Sequence, residues 1–208
     1  MPQPGHPASS EAPHAPAGPA GGQRGLVARL VAGRRRLGPP PEGRPGPWVI
    51  LAAWGPCGFA PVAPGTFGTL GAIPLAWAAA RLPLPGQVAL AVALGALGTV
   101  AAGHAGRYWR VVDASPIVID EVVGYLVTML AVPFSWPAAL VGFLLFRACD
   151  VLKPWPASLF DRMKSPLAVI LDDVAAGVWA WALLRLVATV LARFRGCGDL
   201  AWYCGLGP

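Results

Sequence analysis

The segment PLAVILDDVAAGVWAWALLRLVATVLARF, residues 166–194, decides how the rest of the chain reads. It is overwhelmingly apolar and longer than the roughly 20 residues with which a helix crosses a bilayer. Yet two adjacent carboxylates, Asp172 and Asp173, sit near its start. A carboxylate at the centre of a bilayer costs at least about 2.5–3.5 kcal/mol. A chain that keeps two of them in such a run needs a use for them.

Outward from this segment the pattern repeats. IPLAWAAARL (73–82), VALAVALGALGTVAAG (88–103), PIVIDEVVGYLVTMLAV (116–132) and PAALVGFLLFRACDVL (137–152) are apolar runs divided by short breaks, and PWVILAAW (47–54) is too short to span. Apolar residues make up 55% of the chain and charged ones only 12%, where a soluble domain of this length carries about a quarter. No period-two alternation suggests a barrel, and no internal repeat is evident. The fold expected is all-α: a multi-helix, membrane-embedded bundle of roughly four to five helices, with a Gly/Pro/Thr-rich re-entrant or loop segment near its start.

Residues 1–46, rich in Pro, Gly and Ala and ending in Arg34, Arg35, Arg36 and Arg44, read as a disordered basic leader; residues 47–194 form the helical domain, and 195–208 a tail. Adjacent arginines before the first apolar run place that end in the cytoplasm. They are not interleaved on a folded face as nucleic-acid binding requires, so no nucleic-acid partner is expected. The four cysteines form no CxxC pair and two of the three histidines lie in the leader, which argues against zinc.

Five of the ten acidic residues fall within or at the ends of apolar runs: Asp120, Glu121, Asp150, Asp172 and Asp173. Pairing with the nearby Arg147 and Lys153, a divalent cation, or a place near the membrane surface would each compensate them. Arg147 and Asp150, three apart, can form an ordinary helical salt bridge, but that accounts for one acid only. Gly124 follows Asp120 by four residues and Gly177 follows Asp173 by four, so each shares a helix face with a carboxylate and lets a backbone or a ligand approach it. Carboxylates without His or Cys suit a hard cation, Mg²⁺ first, and Arg147 and Lys153 suit phosphate. In APVAPGTFGTLG (60–71), Thr66 and Thr69 among glycines offer hydroxyls and amides ahead of an apolar helix, the makings of an anion site.

Taken together, GFAPVAPGTFGTLGAIP (58–74), VIDEVVGYLVTM (118–129), FRACDVLKPWPASLFDR (146–162) and ILDDVAAGVWA (170–180) resemble the phosphatidylglycerophosphatase A family. The resemblance implies a Mg²⁺-dependent enzyme of the bacterial inner (cytoplasmic) membrane that hydrolyses phosphatidylglycerophosphate to phosphatidylglycerol and inorganic phosphate. It implies as functional positions Thr66, Thr69, Asp120, Glu121, Arg147, Asp150, Lys153, Asp161, Arg162, Asp172 and Asp173. We expect the five buried acids to be catalytic and to hold metal, and the threonines, cations and Asp161 to contact substrate at the cytoplasmic face. The chain departs from the family pattern at Lys164-Ser165-Pro166-Leu167, where a glycine-rich turn is usual. A transporter with buried carboxylates is the rival reading, disfavoured by the lack of paired halves.

Overall fold

The computed structural model describes residues 43–194; the leader up to residue 42 and the tail from residue 195, with Cys197 and Cys204, lie outside the described residues. Helices follow one another as α1 (Pro47–Ala52), a 3₁₀ turn (Cys57–Phe59), α2 (Pro64–Ala79), α3 (Leu84–Trp109), α4 (Ile119–Thr128), α5 (Trp136–Leu152), α6 (Ala157–Asp161) and α7 (Pro166–Phe194). No strand occurs among the described residues.

α4 is the axis. All ten of its residues are buried, as an all-round apolar helix requires, and α2, α3, α5 and α7 pack around it. The partners begin and end on recognisable signals. Ser135 caps α5 by accepting a hydrogen bond from Ala138 N at 3.2 Å, and Ser165 does the same for α7 from Ala168 N. α5 stops at Lys153, whose left-handed backbone is followed by Pro154, a residue that cannot extend the helix.

The two glycines found four residues after the acids serve each other. A Cβ on Gly177 would collide with Gly124 O, and a Cβ on Gly124 would lie 2.7 Å from Asp173 O and 2.5 Å from Phe146. They let the backbones of α4 and α7 touch, which is the backbone alternative of the sequence reading and not the ligand one. Alanines supply much of the remaining core, including Ala101, Ala105, Ala138, Ala176 and Ala180, so the helices lie close throughout. Thr128 Oγ1 donates to Gly124 O at 3.0 Å and lies 3.4 Å from Gly177 O, consolidating the crossing.

At the end of α4 remote from its acids, the chain turns through Leu130 and Ala131. Trp181 Nε1 donates to Leu130 O at 2.9 Å, Arg185 Nη2 to Ala131 O at 3.0 Å, and Ala131 N donates to Gln87 Oε1 at 2.9 Å. Side chains of α3 and α7 thus satisfy the backbone groups of this turn.

Among the described residues two helices, Leu84–Trp109 and Pro166–Arg193, are long and apolar enough to cross a membrane. α2 and α5 fall short at 16 and 17 residues, and α4 with 10 is a core helix whose apolar composition reflects burial in protein. One expectation needs correction: the Gly/Pro/Thr segment is not a loop through Gly71, because α-helix begins at Pro64 and only Gly55–Ala63, with the 3₁₀ turn inside it, precedes the helix. Pro64 in the first turn starts it, because its missing N–H is not needed there. Outward faces stay apolar, with Trp77, Val92, Leu140, Leu144 and Leu186 exposed, a surface suited to lipid.

Gly177→Ala should therefore force α4 and α7 apart and destabilise the bundle by about 1–3 kcal/mol, read as a lowered unfolding midpoint in detergent. Gly95→Ala is the control, since a Cβ there meets only Ile170 and Val123 at 3.8 Å; its midpoint should stay or rise slightly.

Candidate active site

The crossing of α4 and α7 brings the two acidic pairs together. Asp120 and Glu121 occupy the first turn of α4, where the unpaired amides and the helix dipole favour negative charge. Asp173 approaches from α7, and one carboxylate oxygen from each of Asp120, Glu121 and Asp173 lies within 4.8 Å of the others. All three are buried, as are Asp150 and Asp172.

The end of α5 brings the cations. Arg147 Nη1 lies 2.7 Å from Asp150 Oδ2 and 3.7 Å from Glu121 Oε1, so it joins α5 to α4. Lys153 Nζ is in direct contact with Asp172 Oδ2, 3.0 Å from Asp161 Oδ1 and 4.0 Å from Asp150 Oδ1. Its left-handed backbone at the helix end turns the side chain back toward α7. Burial pulls the Lys153 ammonium down, but Asp172, Asp173 and Asp150 together pull harder, and the net shift is upward. A raised folded pKa means that this contribution to stability is complete below the ordinary lysine value of 10.5 and fades as pH rises beyond it.

The start of α2 closes the group. A Cβ on Gly65 would strike Glu121 Oε1 and lie 3.1 Å from Arg147 Nη1, so only glycine permits this approach. Thr66 stands beside it, half-buried, but its amide donates to Ala63 O at 2.9 Å and is no free anion ligand. Thr69 is fully buried and its hydroxyl donates to Gly65 O at 2.9 Å within the helix. Asp161 reaches the group from α6 through Lys153, whereas Arg162, at the end of α6, is exposed. The structure thus gathers the five acids, Arg147, Lys153 and Asp161, engages Thr69 elsewhere, and leaves Arg162 at the surface.

Five buried carboxylates face two cations, leaving three negative charges to be compensated if all are ionised. Glu121 Oε2 and Asp173 Oδ2 are buried with no hydrogen-bond partner among the described residues. Buried polar atoms are rarely left so, and an oxygen-only donor set with unmet acceptors fits a hard divalent cation such as Mg²⁺. Sequence reasoning missed the contribution of Gly65 as a contact position and of Arg110 and Asp113 beside the site. Their one signal was the polar break RVVD between two apolar runs.

An all-α bundle with an apolar exterior, carboxylates fit for a hard cation and cations fit for a phosphate is the equipment of a membrane-associated phosphatase. The family model for phosphatidylglycerophosphatase A matches residues 50–188. Among relatives, phosphatidylglycerophosphatase A of Escherichia coli is 35% identical over 144 residues, 68% of this chain and 83% of the relative. A Bacteroides thetaiotaomicron protein described as "Putative phosphatidylinositol-3-phosphatase" is 35% identical over 153 residues, 69% of this chain and 94% of the relative. Phosphatidylglycerophosphatase A of Haemophilus influenzae is 40% identical over 70 residues, 33% of this chain and 43% of the relative. No solved structure matches. The chain belongs to the phosphatidylglycerophosphatase A family.

Lys153→Met should leave Asp172 buried without its cation and lower stability at pH 7 by about 3 kcal/mol. The gap to the wild type, followed by chemical unfolding in detergent, should narrow as pH climbs above 10.5, where the wild-type lysine begins to lose its advantage.

Proposed function

We propose that the chain hydrolyses the terminal phosphomonoester of phosphatidylglycerophosphate, giving phosphatidylglycerol and inorganic phosphate, and does so with Mg²⁺. The observation that carries this reading is the group of five buried carboxylates with two cations, in which Glu121 Oε2 and Asp173 Oδ2 have no partner among the described residues. A metal-free structural core has no reason to keep such a group.

Asp120, Glu121 and Asp173, whose oxygens converge, would hold the ion, with Asp150 and Asp172 behind them. When bound, Mg²⁺ supplies charge neutralisation for the phosphate and for the leaving oxygen. Arg147 grips the phosphoryl oxygens through its planar fork and Lys153 as a point charge. Asp150 holds both cations and Asp172 pins Lys153, so the two are oriented before substrate arrives. A carboxylate of the cluster takes the proton of the attacking water as the new P–O bond forms, and that carboxyl group passes the proton, directly or through water, to the glycerol oxygen as its bond to phosphorus breaks.

The site faces the cytoplasm in this reading. Arg44, Arg107, Arg110, Arg162 and Lys164 lie toward the acidic end of the bundle, while Arg81, Arg185 and Arg193 lie toward the other, a bias in the sense of the positive-inside rule.

Phosphate release from phosphatidylglycerophosphate in mixed micelles, with Mg²⁺ or with excess chelator, tests the proposal. Release should require the metal, fall to background in Asp173→Asn, and drop about 100-fold in kcat/KM in Arg147→Gln. Phosphatidylinositol 3-phosphate is the comparison substrate and should be turned over more slowly. No release from folded wild type with Mg²⁺ would sink the reading.

A further inference from the structure

A cleft of about 350 Å³ adjoins the acidic centre. One wall is the α3–α4 connection from Arg110 to Asp113; the other is the end of α6 and the turn into α7, with Phe160, Met163 and Lys164. Asp172, the partner of Lys153, also lines it, so the cleft is continuous with the centre.

Its charges divide into two kinds. The acids are engaged: Asp161 and Asp172 by Lys153, and Asp113 in an interaction of its own. Arg110 and Lys164 are exposed and form no ion pair among the described residues. Arg110 moreover ends α3 in the left-handed conformation, φ 55° and ψ 26°, a place where glycine or asparagine is favoured. An arginine held there against its backbone preference invites a functional reason. A second, largely apolar groove of about 250 Å³, walled by Ala102, Gly103, Gly106 and Pro166 with Arg107 at its edge, shares Arg110, Val111 and Val112 with the cleft.

We propose that the cleft is the subsite for the second phosphate of the lipid headgroup, the phosphodiester, and that Arg110 and Lys164 bind it. This rests on the reading of the centre as a phosphatase of phosphatidylglycerophosphate. The features run in the order apolar groove, Arg110, cleft, acidic centre. The substrate runs in the same order: acyl chains, phosphodiester, glycerol, phosphomonoester. The Arg110 fork suits the two free oxygens of a diester, and Lys164 adds charge from the opposite wall. Neither residue contacts the reacting phosphorus; both select a substrate with two phosphates over one with a single phosphate. The product phosphatidylglycerol keeps the phosphodiester, so the same pair binds the product.

The test uses the full chain in micelles with Arg110→Gly, Lys164→Gln and the double variant. Glycine takes the left-handed position without strain, so Arg110→Gly should fold with an unfolding midpoint equal to or above that of the wild type. Each single variant should raise KM for phosphatidylglycerophosphate about tenfold with kcat within about twofold, and Arg110→Lys should recover part of the loss. Phosphatidylglycerol should inhibit the wild type competitively and the double variant weakly. Unchanged KM, or undiminished product inhibition in the double variant, overturns the subsite. If folded wild type releases no phosphate, the hydrolase reading fails instead, and direct binding of phosphatidylglycerol against neutral diacylglycerol decides the cleft. Binding that the double variant loses supports it, and binding that survives overturns it.

Discussion

The place where α4 and α7 touch through Gly124 and Gly177 governs the rest of the structure. A side chain at either position would separate the helices. One helical turn away on each helix stand the acidic residues, so the distance between the backbones at the glycines sets the distance between Asp173 and the Asp120–Glu121 pair. Small residues here are the condition for the convergence of the carboxylates. Gly65 extends the same logic to α2, whose first turn lies against Glu121 and Arg147.

Convergence of like charges away from water is unfavourable, and the chain offsets it locally. The first turn of α4 offers amides and the positive end of its dipole, and α5 delivers Lys153 at its negative end, where a cation is favoured, and Arg147 from the turn before. The offset is incomplete by design of the composition: five acids against two cations. That imbalance sets the group apart from a salt-bridge network in which every buried charge is paired.

Much of this was legible before any coordinates. Helical class followed from long apolar runs without alternation, and the acids and cations stood out because lipid-like surroundings make each one expensive. Three features were not legible, for physical reasons. PIVIDEVVGYLVTMLAV is apolar on all sides whether it faces lipid or protein, so its sequence could not show that α4 is a ten-residue core helix. Thr66 and Thr69 sit among glycines and prolines that suggest a loop, but Pro64 is a helix starter there, and Thr69 spends its hydroxyl on Gly65 O. Arg110 became visible only as a cleft residue, because its left-handed backbone depends on how α3 ends against the chain that follows.

The turn after α4, held by Trp181 and Arg185 from α7 and by Gln87 from α3, acts at a distance from all chemistry. With the glycine crossing fixing one point of α4 and these bonds fixing its far end, the helix cannot slide lengthwise along α7. The registration of the two acid pairs is thus clamped like a rule pinned at both ends.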